Sequence, residues 1–244
     1  MDLIWLKKDA RLSDHGPLSH VLLGEAEKEK PFAVLYCYEP SQITHPTTHG
    51  SHVAFHNEGL IELEQSLQNL RGGSGGGLPI LTIRIAEAVE AVHAIHNSPH
   101  GPIKRLFSHM ETGHMASYAR DRAMKEWCRK HDVTWKQFNQ TGVIRGLKSR
   151  VDIESKPFAE RWNQLMSSPQ HEDPRTTSSN IEKTKCRLVS GLISGHSIGT
   201  VGVVSPSDPR LRLIHPMDRA ARQRGGEITA ISLLNSFLGT RGVA

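Results

Sequence analysis

Short apolar runs alternate along the chain with longer segments in which apolar residues recur every three or four positions. The short runs are predicted strands at residues 3–6, 33–38, 80–83, 103–107 and 133–135. They show no strict alternation of apolar and polar residues, as is typical of strands covered by helices on both faces. Strands separated by helical segments favour a parallel sheet with crossover helices. The predicted fold class is therefore α/β, a Rossmann-like doubly wound five-stranded parallel sheet.

The segments between the predicted strands carry apolar stripes with helical spacing. The first two stripes consist of Leu60, Leu63, Leu67 and Leu70, and of Ile85, Val89 and Val92. A third helix is predicted from about Thr112 to Lys130, with a buried side formed by Met115, Ala119, Ala123 and Trp127. We expect all three stripes to pack against the sheet.

The pattern changes after Trp135. Residues 157–166 predict a short helix, and residues 167–208 are rich in Ser, Thr, Pro and Gly, which is typical of a linker. A last helix is predicted from about Gly226, with an apolar stripe that needs a partner surface, formed by Ile228, Ile231, Leu234 and Leu238. We therefore predict an α/β domain at 1–140, an interdomain linker with a short helix at 141–209, and the start of a helical domain at 210–244.

Composition narrows the class of protein. Cys37, Cys128 and Cys186 lie far apart, which favours neither a disulfide framework nor a thiolate zinc site. No run of about 20 apolar residues that could span a membrane is present, so we expect a soluble intracellular protein. The glycine-rich run at 72–77 follows a helix and precedes a strand, which indicates a flexible connector and not a dinucleotide site. Neither a G-x-S-x-G elbow nor a Walker loop is present, so independent hydrolytic activity is not expected.

Three motifs occur in the order typical of one family. The chain opens with the strand and turn at 3–18, which includes Trp5, Asp9 and Arg11, and continues with Glu111-Thr112-Gly113 before the Arg-Asp pair at 120–121. The third motif is Gly-Gly-Glu at 225–227, followed by Leu233, Leu234 and Phe237. These motifs resemble the amino-terminal half of DNA photolyases and cryptochromes, up to the start of their flavin domain.

The resemblance implies a light-dependent function. Proteins of that family hold an antenna pigment in the α/β domain and FAD in a helical domain, and they repair pyrimidine dimers in DNA or sense blue light. By this resemblance the activity would be that of a deoxyribodipyrimidine photo-lyase. The sequence ends before the family's flavin-binding loops, so we expect a truncated chain, inactive alone and without tightly bound FAD. A missing helical domain or a second chain would have to supply the flavin site.

The resemblance also indicates where ligands would bind. An antenna pigment is expected at the carboxyl ends of the strands, against Lys8, Asp9, Arg11, Glu39, Met110 and Glu111. Folate-binding relatives carry an Asn-Glu pair where this chain has Ala116 and Ser117, so the folate ligand pair is absent. For the occupant of the antenna pocket, three alternatives stay open: a deazaflavin, a flavin used as antenna, or no pigment at all.

Charge and histidine content suggest further partners. The net charge of +5 permits contact with DNA, for which flank contacts are predicted at Arg145, Lys148 and Arg150. A second basic group, before the last helix, is interpreted as interdomain salt bridges and consists of Arg210, Arg212, Arg219, Arg222 and Arg224. Four histidines spaced three or four apart at 45–56 could include a metal pair, but a solvated loop leading into a helix is the preferred interpretation. No metal site and no catalytic residue are predicted.

Two alternatives stay open. A stand-alone Rossmann-like module would bind a nucleotide or a protein partner at the same edge of the sheet, without light. A degenerate fragment would have no activity and would aggregate through the uncovered stripe of the last helix.

Overall fold

The fold is built on a five-stranded parallel sheet. The computed structural model describes residues 1–23, 31–71, 80–140, 143, 156–167, 171 and 202–242. The strands are β1 (Asp2–Leu6), β2 (Phe32–Tyr38), β3 (Leu81–Ile85), β4 (Arg105–His109) and β5 (Thr134–Phe138). Their order across the sheet is β3-β2-β1-β4-β5, and every neighbouring pair is parallel. The predicted α/β class with a five-stranded parallel sheet is confirmed.

Helices connect the strands and continue beyond them. They are α1 (Gly16–Leu23), α2 (Pro40–Ile43), α3 (Gly50–Arg71), α4 (Ala88–His96), α5 (Met115–Lys130), α6 (Lys156–Met166) and α7 (Glu227–Ser236). A short 3₁₀ turn occupies Pro209–Leu211, and a π-helical turn at Phe237–Arg241 extends α7. In the described part of the chain, none of the helices combines the length and the apolar character that crossing a membrane requires.

The sheet has an apolar layer on each face. Alternate residues of β1 contribute to the two layers, because successive side chains of a strand point to opposite faces. Ile4 and Leu6 pack in the layer that contains α1 and α3, whereas Leu3 and Trp5 pack in the layer that contains α4 and α5. The predicted stripe from Leu60 to Leu70 is buried in the first layer. Burial on both faces explains why the strands are apolar without alternation.

The predicted buried side of α5 is confirmed at Trp127 and wrong at its other three residues. Met115 is 77% exposed, and Ala119 and Ala123 are exposed as well. Besides Trp127, the helix buries Ser117, Met124 and Cys128, and it turns Arg120 and Asp121 toward the sheet. The four-residue spacing of small apolar residues was misleading, because ion-paired polar side chains occupy much of the inner face.

The strand boundaries also differ from the prediction, most clearly at β3, β4 and β5. β4 extends past Phe107 to Ser108 and His109, which are both buried. Polar residues can lie in a buried strand when they have partners, and the Ser108 hydroxyl accepts a hydrogen bond from the Trp135 indole at 3.1 Å. Ile85, predicted on a helix, ends β3.

A buried carboxylate on α3 fixes the start of β3. Glu64 accepts the backbone N–H groups of Ile80 and Leu81, both at 2.8 Å. The predicted glycine connector at 72–77, most of the predicted linker at 141–209, and Cys186 lie outside the described residues. The domain boundaries therefore remain predictions.

Truncating a core residue of α3 should destabilise the protein. Leu60 is fully buried, so we expect Leu60→Ala to lower the free energy of unfolding by about 2–5 kcal/mol, measured by urea denaturation. Its neighbour Ile61 is 37% exposed, and Ile61→Ala is the matched control with a clearly smaller loss. Equal losses in the two variants would contradict the assigned helix face.

Candidate functional site

The order of the strands reverses between β1 and β4. The chain builds the sheet outward from β1 through β2 to β3, and then returns to place β4 on the other side of β1. The carboxyl ends of β1 and β4 therefore diverge into different connections. In open α/β sheets, ligands bind in the crevice at this switch point. Lys7, Lys8 and Asp9 follow β1, and Met110 and Glu111 follow β4.

Arg120 of α5 joins the acidic residues at the switch point. Its guanidinium lies 2.9 Å from Glu39 Oε1, 2.6 Å from Glu111 Oε2 and 2.9 Å from Asp121 Oδ1. The Arg120 side chain is only 8% exposed, so these are largely desolvated, charge-assisted hydrogen bonds. Carboxylates from the ends of β2 and β4 are thus held together by one side chain from a helix.

Two lysines complete this charge cluster. Lys7 Nζ lies 2.9 Å from Asp121 Oδ2 and 4.6 Å from the centre of the Trp5 ring, so the lysine is buried between an anion and an aromatic face. Lys8 Nζ lies 3.2 Å from Glu111 Oε1, and its side chain is 60% exposed. Lys8 is therefore the cation of this cluster that faces solvent most openly.

Burial and pairing set the protonation preferences in the cluster. Burial raises the pKa of Glu39, although the Arg120 charge acts in the opposite direction. For Glu111, burial also favours the neutral form, but hydrogen bonding to Arg120 outweighs it and lowers the pKa. Burial opposes ionisation of Arg120, yet its carboxylate partners raise the pKa further above its ordinary value. Arg120 is thus a permanent cation between two carboxylates of different basicity.

Asp9 is buried next to the charge cluster and accepts hydrogen bonds. Its Oδ1 accepts the Lys7 backbone N–H at 2.6 Å, and its Oδ2 lies 2.5 Å from His109 Nδ1 and 3.3 Å from His15 Nε2. Burial alone would raise the pKa of Asp9, but the two histidines outweigh it and hold the pKa well below its ordinary value. The carboxylate therefore stays ionised inside the fold.

The histidine tautomers follow from these contacts. His15 Nδ1 accepts the Leu18 N–H at 3.2 Å, so the proton of the neutral ring is on Nε2, which faces Asp9. His109 likewise directs its Nδ1 proton at Asp9, and its Nε2 is buried without a partner among the described residues.

In the described part of the chain, Asp9, His15 and His109 are the one group of potential metal ligands close enough to share an ion. A proton on His15 Nε2 leaves no lone pair there for a metal. The geometry is that of a triad in which His109 is hydrogen-bonded to Asp9 and His15 Nε2 lies at ion-pair distance from the same carboxylate, with a buried acceptor remaining at His109 Nε2.

The residues predicted to bind a pigment belong to different groups of contacts at this edge of the sheet. Lys8, Glu39 and Glu111 belong to the charge cluster, whereas Asp9 lies in the triad. Arg11 donates to the carbonyl oxygens of Ser13 and Asp14 within its own loop. Met110 follows β4, and its backbone N–H donates to Phe138 O at 2.7 Å. Arg145, Lys148 and Arg150 lie outside the described residues.

The sequence interpretation missed several residues of this site. Arg120 and Asp121 carried the family resemblance but were not assigned to the site, although an Arg-Asp pair on a helix after the fourth strand could have suggested it. Lys7 was overlooked beside Lys8. No sequence signal links His15 to His109, because the two rings meet only through the pairing of β1 with β4.

The surface histidines of 45–56 have local structural roles. His45 Nδ1 accepts the Thr47 N–H at 3.3 Å, and His52 Nδ1 accepts the His49 N–H at 3.2 Å. His56 departs from the expected solvated position, because it is half-buried beside Tyr36 and burial lowers its pKa. The chain does lead from a loop into a helix here, with α3 beginning at Gly50.

Two arginines of the second basic group pair with α3. Arg222 lies 2.9 Å from Glu58 Oε1, and Arg224 lies at the same distance from that oxygen. Hydrogen bonding from Arg222 lowers the pKa of Glu58 to about 2. Arg210 instead pairs with its neighbour Asp208. The predicted contacts between the two parts of the chain are thus found for Arg222 and Arg224.

Removing the cation of the charge cluster should be costly. Arg120→Met leaves Glu39 and Glu111 buried without their partner, so we expect the free energy of unfolding to fall by about 3–5 kcal/mol, measured by urea denaturation. Arg129→Met, on the same helix, is the control, because the Arg129 side chain is 74% exposed. A loss at Arg120 no larger than at Arg129 would show that the cluster is not a buried network.

The stability of the protein should depend on His109 at mildly acidic pH. Burial lowers the pKa of His109 more than its bond to Asp9 raises it. Its stabilising contribution is therefore present above the unfolded pKa of about 6.5 and is lost as pH falls through the lower folded pKa. We expect the unfolding free energy of His109→Gln to decline less steeply than that of the wild type from about pH 7 to pH 5. Parallel pH profiles would refute this role.

Comparisons with known proteins agree with this architecture. The family model of DNA photolyase matches residues 2–173. A bacterial class III photolyase from Agrobacterium tumefaciens has a similar fold, with a TM-score of 0.58 and 16% sequence identity over 97% of this chain and 44% of that chain. This chain thus spans less than half of that photolyase, and no curated protein matches it significantly in sequence. Because the family model covers more than half of its residues, the chain belongs to the DNA photolyase family.

Proposed function

We propose that the α/β part of this photolyase-family chain binds a light-harvesting pigment at the switch point between β1 and β4. The pigment would pass excitation to a flavin in a protein that repairs pyrimidine dimers in DNA or senses blue light. The observation that carries the proposal is the built charge cluster around Arg120, which gathers carboxylates from β2 and β4 at the edge where α/β folds bind ligands.

The cluster offers complementary groups to a conjugated pigment. Flavin-type and pterin-type rings carry N–H donors, which the Glu39 and Glu111 carboxylates can accept, and their side chains often end in acidic groups. Lys8 is the exposed cation that could turn from Glu111 to such an acidic group. Arg120 is held by Glu39, Glu111 and Asp121, so its role is to fix the carboxylates in place.

The pigment is proposed to be a deazaflavin or a flavin rather than a folate. The positions where folate-binding relatives have Asn and Glu carry Ala116, which is exposed, and Ser117, whose hydroxyl donates to His114 O at 2.8 Å. Neither side chain supplies the amide or the carboxylate. A folate would have to bind without that pair.

FAD and DNA enter the proposal through the family. FAD would be held by a helical domain or by a second chain, and α7 would be the first helix of that unit. DNA would contact this part of the protein only at the flank, and Arg145, Lys148 and Arg150 remain the predicted contacts. The net charge of +5 is compatible with such a contact.

Fluorescence titration of the purified protein tests pigment binding. A deazaflavin, riboflavin phosphate and a methenyl folate are added in turn, and we expect saturable binding of at least one of the first two. Glu111→Gln should weaken that binding by about tenfold, since an acceptor of the ring is lost. Glu126→Gln, whose side chain is 64% exposed on the same helix as Arg120, is the control and should bind like the wild type.

The other outcomes separate the alternatives. Absence of binding for every pigment, with clear thermal stabilisation by a dinucleotide, would contradict the proposal and favour a stand-alone nucleotide-binding module. Equal pigment affinities of the Glu111 and Glu126 variants would show that the pigment binds somewhere other than the charge cluster.

A further inference from the structure

The turn that precedes α7 is bound to α3 through two carboxylates. Glu58 lies within 2.9 Å of the guanidinium groups of Arg222 and Arg224, and it accepts the Gly225 N–H at 2.6 Å. Glu62, one turn further along α3, accepts the Ile228 N–H at 2.8 Å. The first residues of α7 are thereby fixed on the surface of the α/β domain.

Glu227 reaches from this turn into the loop between β1 and α1. Its Oε2 accepts the Leu12 N–H at 3.1 Å, and its Oε1 accepts the Ser13 N–H at 2.8 Å. Glu227 is only 9% exposed, and Leu12 is fully buried. One carboxylate thus satisfies two consecutive backbone donors that lie more than 200 residues away in the chain.

The same loop forms one wall of the switch point. It begins with Lys8 and Asp9, and Asp14 adopts a left-handed backbone conformation with φ of 45°. Arg11 binds the carbonyl oxygens of Ser13 and Asp14, so the loop is folded tightly on itself. A tight loop with a left-handed residue keeps its shape only while the surrounding contacts hold it.

We propose that Glu227 is the positioning residue of the β1–α1 loop, through which docking of α7 controls the shape of the switch-point site. Glu227 does not touch the site; it acts through Leu12 and Ser13. Without it, the Leu12 N–H would be buried without an acceptor, and a buried donor without an acceptor is costly enough for the loop to rearrange.

The coupling between docking of α7 and ligand binding at the switch point is reciprocal, so it can be measured at either site. A ligand that binds the switch point in its present shape favours docking of α7, and docking of α7 favours that ligand by the same factor. The reciprocal effect rests on the proposed pigment site, whereas the effect of Glu227 on the loop amides does not.

Hydrogen exchange measured on Glu227→Gln tests the inference, with the whole chain and at neutral pH. A Gln amide has a single acceptor oxygen, so one of the two N–H groups would face a donor. We expect the Leu12 and Ser13 amides to exchange at least about tenfold faster than in the wild type, and pigment affinity to fall by about fivefold or more. Circular dichroism establishes that the variant is folded.

Glu62→Gln is the matched control, because it keeps the acceptor for Ile228, and among the described residues Glu62 makes no hydrogen bond to the loop. In Glu62→Gln, the exchange rates of the Leu12 and Ser13 amides and the affinity for pigment should equal those of the wild type. Unchanged exchange at Leu12 and Ser13 in folded Glu227→Gln would overturn the inference, as would equal acceleration in both variants. If the wild type binds no pigment, the proposed function fails, and the exchange rates alone decide the role of Glu227.

Discussion

A buried carboxylate with two imidazole partners determines how the carboxyl edge of the sheet is built. Asp9 lies three residues after the end of the central strand, and in the described part of the chain its ion-pair partners are His15 and His109. His15 precedes α1, and His109 ends β4, so one anion connects the loop, the helix on one face and the strand across the switch point. An ionised group at this depth is tolerated only because N–H groups surround it. Replacing any of them leaves a buried charge without enough partners, which ties the shape of the loop to the packing of β4.

The charge cluster around Arg120 depends on the position of Asp9. Lys7 and Lys8 reach Asp121 and Glu111 from positions that the turn at Asp9 defines. Buried ion pairs seldom add much net stability, because desolvation offsets the attraction between the charges. Their value here is geometric, since they hold carboxylates from β2 and β4 at fixed positions around the crevice. The proposed antenna site requires such a fixed set of acceptors.

Much of the fold follows from local patterns in the sequence, because apolar runs and helical stripes report which residues are buried. The strands, the stripe from Leu60 to Leu70 and the start of α7 at Glu227 are visible in this way. The face of α5 is not, because Arg120 and Asp121 are turned inward by partners on other strands. The same limit applies to the site: Lys8, Glu39 and Glu111 could be proposed from their positions after strands, whereas the contacts of His15 with His109 and of Glu227 with Leu12 depend on the completed fold.

The protonation states of the triad provide the most direct test of this account. Nitrogen NMR of protein with labelled histidines, recorded at neutral pH, distinguishes a protonated ring nitrogen from a bare one. We expect His109 to carry its proton on Nδ1 and His15 on Nε2, both facing Asp9. A spectrum with the proton of His109 on Nε2, or with a bare Nε2 on His15, would contradict the central place given to the buried Asp9 carboxylate.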